Sequence, residues 1–124
     1  MASQTAAPRS TTFTIGWIAL LVISTLAALG HLLLMFIFFQ ERELFLGRAA
    51  FNVYSTLVLA LPFRRREPWA WYTSWVLVVG FAVELLLDPA KGFTVVYVIG
   101  AGVMAVGLLL TRAAFFPKQQ ASIG

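Results

Sequence analysis

Five side chains could do chemistry in a sequence that otherwise offers little of it: His31, Arg48, Asn52, Glu84 and Tyr97. All stand inside long apolar runs, where a polar or ionisable group is expensive and points to a pathway, a proton relay or a ligand site. Their spacing groups them. Arg48, Asn52 and Ser55 follow i, i+4, i+7 and share one helical face, as do Gly80, Glu84 and Asp88. Ser24, Ala28 and His31 form a small-to-polar stripe on another segment. Depth can be counted from the ends of the runs farthest from the arginine cluster at residues 64–66. A rise of about 1.5 Å per residue puts His31 and Asn52 roughly 12 Å deep, and Arg48, Glu84 and Tyr97 roughly 5–6 Å deep.

Opposite charges at one level predict that Arg48 pairs with Glu84, with Asn52, His31 and Tyr97 completing the network, because a lone charge there is costly. The plainer reading is structural: an ion pair, or Arg48 snorkelling to the interface while Glu84, near a helix end, reaches water. The sharper reading is a site that handles protons or a ligand. No nucleophile stands beside a base, so no catalytic residue is assigned. A lone histidine is a poor zinc site, and the absence of cysteine excludes disulfides and thiolate metal centres. Neither a metal nor a cofactor is expected. Ala27-Ala28-Leu29-Gly30-His31 places a small residue four before a histidine, as in helices that hold chlorophyll or haem by one imidazole. A packed, hydrogen-bonded histidine is the simpler account.

The elements that must position these groups follow from composition. The 124 residues are 60% hydrophobic and 11% charged, against about 25% charged in a soluble domain. Lipid must therefore cover much of the surface, and the length allows one compact unit. The net charge of +4 lies at the ends of apolar segments. There it reads as orientation and anionic-lipid contact rather than nucleic-acid binding.

The organising stretch is Phe63-Arg64-Arg65-Arg66-Glu67-Pro68-Trp69-Ala70-Trp71-Tyr72. Three arginines between apolar runs would each cost about 2.5–3.5 kcal/mol at the centre of a span, so this stretch is a hairpin in water. Pro68 suits the first turn of the returning helix. Arg64, Arg65, Arg66, Trp69, Trp71 and Tyr72 read as interface anchors, with Trp75 and the remaining aromatics nearby forming a girdle.

The sequence predicts an all-α protein, a four-transmembrane-helix bundle with helices at about 13–39, 44–63, 69–87 and 93–111. Flexible tails are expected over 1–12 and 113–124, with Thr11 or Thr12 as a possible first cap. The run from Phe13 to Phe39 exceeds the roughly 7–15 residues of a signal-peptide core and has no cleavage site, so it is expected to be retained. Four spans put both termini on one side. Arg9, Arg64, Arg65, Arg66, Arg112 and Lys118 gather there, leaving Arg42, Arg48 and Lys91 for the other. The excess predicts that the termini and the arginine hairpin are cytoplasmic. In the fourth helix Gly100, Ala101, Ala105 and Gly107 let backbones approach closely, first within the bundle and alternatively at an oligomer contact.

From the Arg64–Tyr72 stretch to Leu110-Thr111-Arg112-Ala113-Ala114-Phe115-Phe116, the chain resembles small bacterial four-helix membrane proteins. In these a basic pair, one or two turn residues and Trp-Ala-Trp mark the second hairpin. That resemblance implies a bacterial inner-membrane protein and supplies no active-site residues. Size and helix count are also similar to those of small multidrug transporters. The acidic residue that family carries in its first helix is missing from Phe13 to Phe39.

The expected function is an accessory or assembly subunit of a larger membrane complex, partnered by the lipid bilayer and by other membrane subunits or further copies of itself. The alternatives are a small dimeric transporter or channel with Glu84 and Arg48 in the pathway, and a lipid-, quinone- or pigment-binding protein using His31. An enzyme acting on lipids or quinones would have His31 and Glu84 as its acid–base groups.

Overall fold

A computed structural model describes residues 10–87 and 92–118. The expected N-terminal tail before residue 10, the Asp88–Lys91 turn and the end of the C-terminal tail lie outside the described residues. The rest is helical: α1 spans Thr11–Ile37, α2 Arg42–Val58, α3 Pro68–Leu87 and α4 Thr94–Phe115. A 3-10 turn over Phe39–Glu41 links α1 to α2, and a π-helical turn over Leu59–Phe63 extends α2. Four stretches are long and apolar enough to cross a membrane: α1, the continuous run Phe39–Phe63, α3 and α4.

Several boundaries differ from the sequence expectation, each for a local reason. Ser10, not Thr11 or Thr12, caps α1, its hydroxyl accepting from the Phe13 N–H at 3.1 Å. Helix α1 ends two residues early, where the Phe38 N–H returns to the Leu34 carbonyl. The polar Gln40–Glu43 turn is largely helical: α2 already starts at Arg42, whose side chain lies over the Phe39 ring at 4.4 Å. Helix α4 continues through Phe115, four residues past the expected end, because the rings of Phe115 and Phe116 pack on the bundle.

Pro62 shapes the far end of α2. It has no N–H to donate and its ring crowds the preceding turn, so the helix widens to a π turn over Leu59–Phe63. Trp17 Nε1 supplies a donor from α1, bonding the Leu59 carbonyl at 2.8 Å. The chain then reverses through Arg66, which takes φ 62°, and Pro68 opens α3.

In the bundle α1 packs on α2 and α4, and α3 packs on α4, while α2 and α3 barely touch along their length. Phe13, Phe63 and Phe115 meet with centroids 4.7–6.2 Å apart, which fixes the start of α1, the hairpin and the end of α4 at one end. A Cβ built on Gly16 would lie 2.7 Å from the Gly107 carbonyl oxygen, so α1 and α4 cross there at near backbone contact. Large apolar residues such as Leu26, Phe36, Leu86 and Val95 face outward. For a chain whose solvent is lipid that is the expected surface.

Candidate functional site

The polar side chains converge in the half of the bundle away from the hairpin. Along α1, Trp17, Ser24 and His31 recur every seven residues, two helical turns, and each offers a polar group to α2. Ser24 Oγ lies 2.7 Å from Thr56 Oγ1 and donates to the Asn52 carbonyl at 3.2 Å. Asn52 Nδ2 donates to the Arg48 carbonyl at 2.8 Å, which fixes that atom as the amide nitrogen, and it also lies 3.1 Å from His31 Nδ1. The other ring nitrogen, Nε2, faces the Tyr97 hydroxyl of α4 at 3.4 Å. Arg48 Nη2 lies 2.5 Å from Glu84 Oε2, joining α2 to α3. The arginine also stands over the Phe45 ring at 5.4 Å.

His31, Arg48, Asn52, Glu84 and Tyr97 thus form one chain of contacts across four helices. Ser55, which shares their face in sequence, turns back to the Phe51 carbonyl instead and takes no part. Both ring nitrogens of His31 are engaged, so axial ligation of a pigment or haem would first have to break one of these contacts. Among the described residues, no three His, Cys, Asp or Glu side chains converge as metal ligands.

Two clefts flank this network. One, of about 530 Å³, opens between α2 and α3 and includes Arg48, Phe51, Asn52, Val79, Gly80 and Glu84 in its lining. The other, of about 550 Å³, lies between α1 and α4 and is almost wholly apolar. His31, Phe81 and Tyr97 line both, so they form the wall between them.

The small residues of α4 divide by position. Gly100 accepts the Phe81 ring of α3, with 2.8 Å left for a Cβ, and Gly107 receives Gly16 and Leu20 of α1. Ala101 packs against the core, Ala105 is half-buried and Gly102 faces open space. Gly16, the partner of Gly107, is a further packing residue, and its only signal in the sequence is its position three residues after buried Phe13 and four before buried Leu20.

The hairpin residues also divide. Trp69 is 49% exposed, and its Nε1 bonds Glu67 Oε2 at 2.6 Å. Tyr72 is exposed as well, and Arg65 projects outward. Arg64 and Arg66 fold back over the rings of Trp17 and Phe13 at 5.9 and 5.3 Å. Trp71 departs from the interface position expected for it. At 7% exposed it is a core residue whose Nε1 donates to the Leu108 carbonyl at 2.9 Å, because its face of α3 is the one that meets α4.

Comparison of this chain with protein families, with curated proteins and with solved structures finds no match.

Proposed function

We propose that this small multi-pass membrane protein is a subunit of a larger membrane assembly, docking through the side of the bundle where α2 meets α3. The supporting observation is Tyr54. It is 59% exposed, and its hydroxyl has no hydrogen-bond partner among the described residues. By helical rise it lies about 15 Å from the hairpin and a similar distance from the start of α2, near the middle of a hydrocarbon core of about 30 Å. A phenol at that depth cannot reach either interface, and a polar group facing hydrocarbon seeks a partner on another helix. Thr73, also exposed, lines the same shallow hollow as Tyr54, Ser55 and Ser74. A neighbouring transmembrane segment with donors or acceptors at that level suits this strip.

The placement we favour is a bacterial cytoplasmic membrane, with the arginine hairpin and both chain ends on the cytoplasmic side. The excess of arginine and lysine at that end supports it. Affinity purification of the full chain from its native membranes in mild detergent, with mass identification, tests the subunit reading. A stoichiometric membrane partner is expected, and Tyr54→Phe should recover about threefold less of it, the ratio for one intramembrane hydrogen bond of about 0.6 kcal/mol. Recovery of the chain with lipid alone would overturn the reading. The Arg48–Glu84 pair beside an open cleft favours one other function, a dimeric transporter with those residues in its pathway. Proton-coupled uptake that Glu84→Gln abolishes would speak for it.

A further inference from the structure

The polar network leaves two loose ends. Arg48 meets Glu84 through Nη2, while its Nε–H is buried and has no acceptor among the described residues. Asn52 spends its Nδ2 on Arg48 and His31, while Oδ1 is buried without a donor. A buried donor and a buried acceptor that go unpaired each forfeit their hydration. Both residues line the cleft between α2 and α3. The two atoms themselves are covered in this structure, so a ligand must shift the side chains over them to reach them. A single group that accepts and donates would then serve both, and the simplest such group is a hydroxyl.

Charge narrows the ligand further. Glu84 already balances Arg48. Glu43, the other charge in the lining, is exposed in the first turn of α2, at the end of the span where water can solvate it. At the depth of the ion pair, therefore, an anionic head would leave a surplus negative charge in a medium that penalises it, and a cation would leave a surplus positive one. Beside Glu43, His31 and Tyr97, the rest of the wall is apolar, and Leu44, Phe51, Val76, Val79 and Val83 suit a hydrocarbon chain. About 530 Å³ lies within the range of about 300–1,000 Å³ typical of small-molecule sites. Access is sideways from the lipid, since α2 and α3 are poorly packed against each other.

We propose that the α2–α3 cleft binds a neutral lipid through a free hydroxyl. The hydroxyl accepts from Arg48 Nε–H and donates to Asn52 Oδ1, and the chain lies along the valine-rich wall of α3. The cleft adjoins the hollow around Tyr54 and shares Phe51 and Val76 with it, but the lipid proposal does not rest on the subunit reading.

The test is photolabelling of the full-length protein in lipid nanodiscs with diazirine-bearing probes of matched chain length: a fatty alcohol, a diacylglycerol, a fatty acid and a plain hydrocarbon. Sites are read by peptide mass spectrometry. One or both hydroxyl probes should label α2 and α3 around the cleft about fivefold more than the hydrocarbon, the ratio one net hydrogen bond produces, and which of the two dominates identifies the source. Asn52→Leu removes one of the two bonds and should cut that labelling to about twofold over the hydrocarbon. Val79→Trp, which blocks the mouth from an exposed position and leaves the network intact, should bring it down to the hydrocarbon level. Equal labelling by hydroxyl probes and hydrocarbon would show that water alone serves the two atoms and would overturn the proposal. A preference for the fatty acid would overturn the charge argument and the neutral ligand with it.

Discussion

The two ends of this bundle are built on opposite principles. At the hairpin end the interior is closely packed: Phe13, Phe63 and Phe115 interlock, Trp71 packs edge-on against Phe116, and Gly16 and Gly107 bring α1 and α4 to backbone contact. At the other end the helices are joined by polar contacts, Arg48 to Glu84 and Asn52 to His31 to Tyr97, with a cleft on either side. The difference teaches where each kind of cohesion is useful. In lipid, apolar surface gains little from meeting other apolar surface, so close packing has to come from small residues and interlocking rings. Polar pairs can span a looser gap, because their alternative in hydrocarbon is an unsatisfied group. The first end therefore holds the fold, and the second keeps space for something to enter.

Glycine substitutions test that division most sharply. Gly16→Leu forces a side chain where the Gly107 carbonyl oxygen and Thr111 Cγ2 lie 2.7 and 2.9 Å from the new Cβ. Overpacking of this kind should cost about 3 kcal/mol, at the upper end of its usual range, read as a collapse of the unfolding midpoint in a detergent titration. Gly30→Leu is the control at the loose end, where a Cβ meets nothing within 4 Å. It should change stability by less than about 0.5 kcal/mol, as surface substitutions do. Equal losses at the two positions would erase the distinction between the ends.

The ion pair tests the loose end from inside, and its two halves should not behave alike. Glu84→Leu leaves an arginine that cannot shed its charge and should cost about 2–3 kcal/mol, near the insertion penalty of a lone charge. Arg48→Leu leaves a carboxylate that can take up a proton and become neutral, so its loss should be smaller, about 1–2 kcal/mol. The double variant should lose much less than the sum of the two, with a coupling of about 1 kcal/mol or more. Strictly additive losses would mean that the two side chains are stabilised separately.

Some of this could be read from the chain alone, and the reasons differ by residue. Charges are scarce in apolar runs, so Arg48 and Glu84 stood out, and a common depth was enough to bring them together. Asn52 and His31 followed from helical spacing and depth. Trp71 did not: Trp, Tyr and Arg beside a hairpin describe an interface equally well for each member, and which ring turns inward depends on which face of α3 meets α4. Helix ends were off by two to four residues at Ile37, Arg42 and Phe115, because caps and ring packing, not hydropathy, decide them. The clefts were illegible in principle. They come from how little α2 and α3 touch, and no local pattern records the distance between two helices.

The smallest expected effect separates the two tryptophans of the hairpin. Trp71→Phe keeps a ring in the core but removes the Nε1 donor to the Leu108 carbonyl. That oxygen still accepts from Thr111 Oγ1 at 2.8 Å, so it is not stranded, and the cost should be about 1 kcal/mol, one ordinary hydrogen bond plus some lost ring contact. Trp69→Phe removes an exposed bond to Glu67 and should cost no more than about 0.5 kcal/mol. What it should change is interfacial anchoring, seen as a shift in the depth at which a spin label on the hairpin sits in a bilayer. If Trp69→Phe proved the more destabilising of the two, the closely packed end would owe its stability to the interface and not to its own packing.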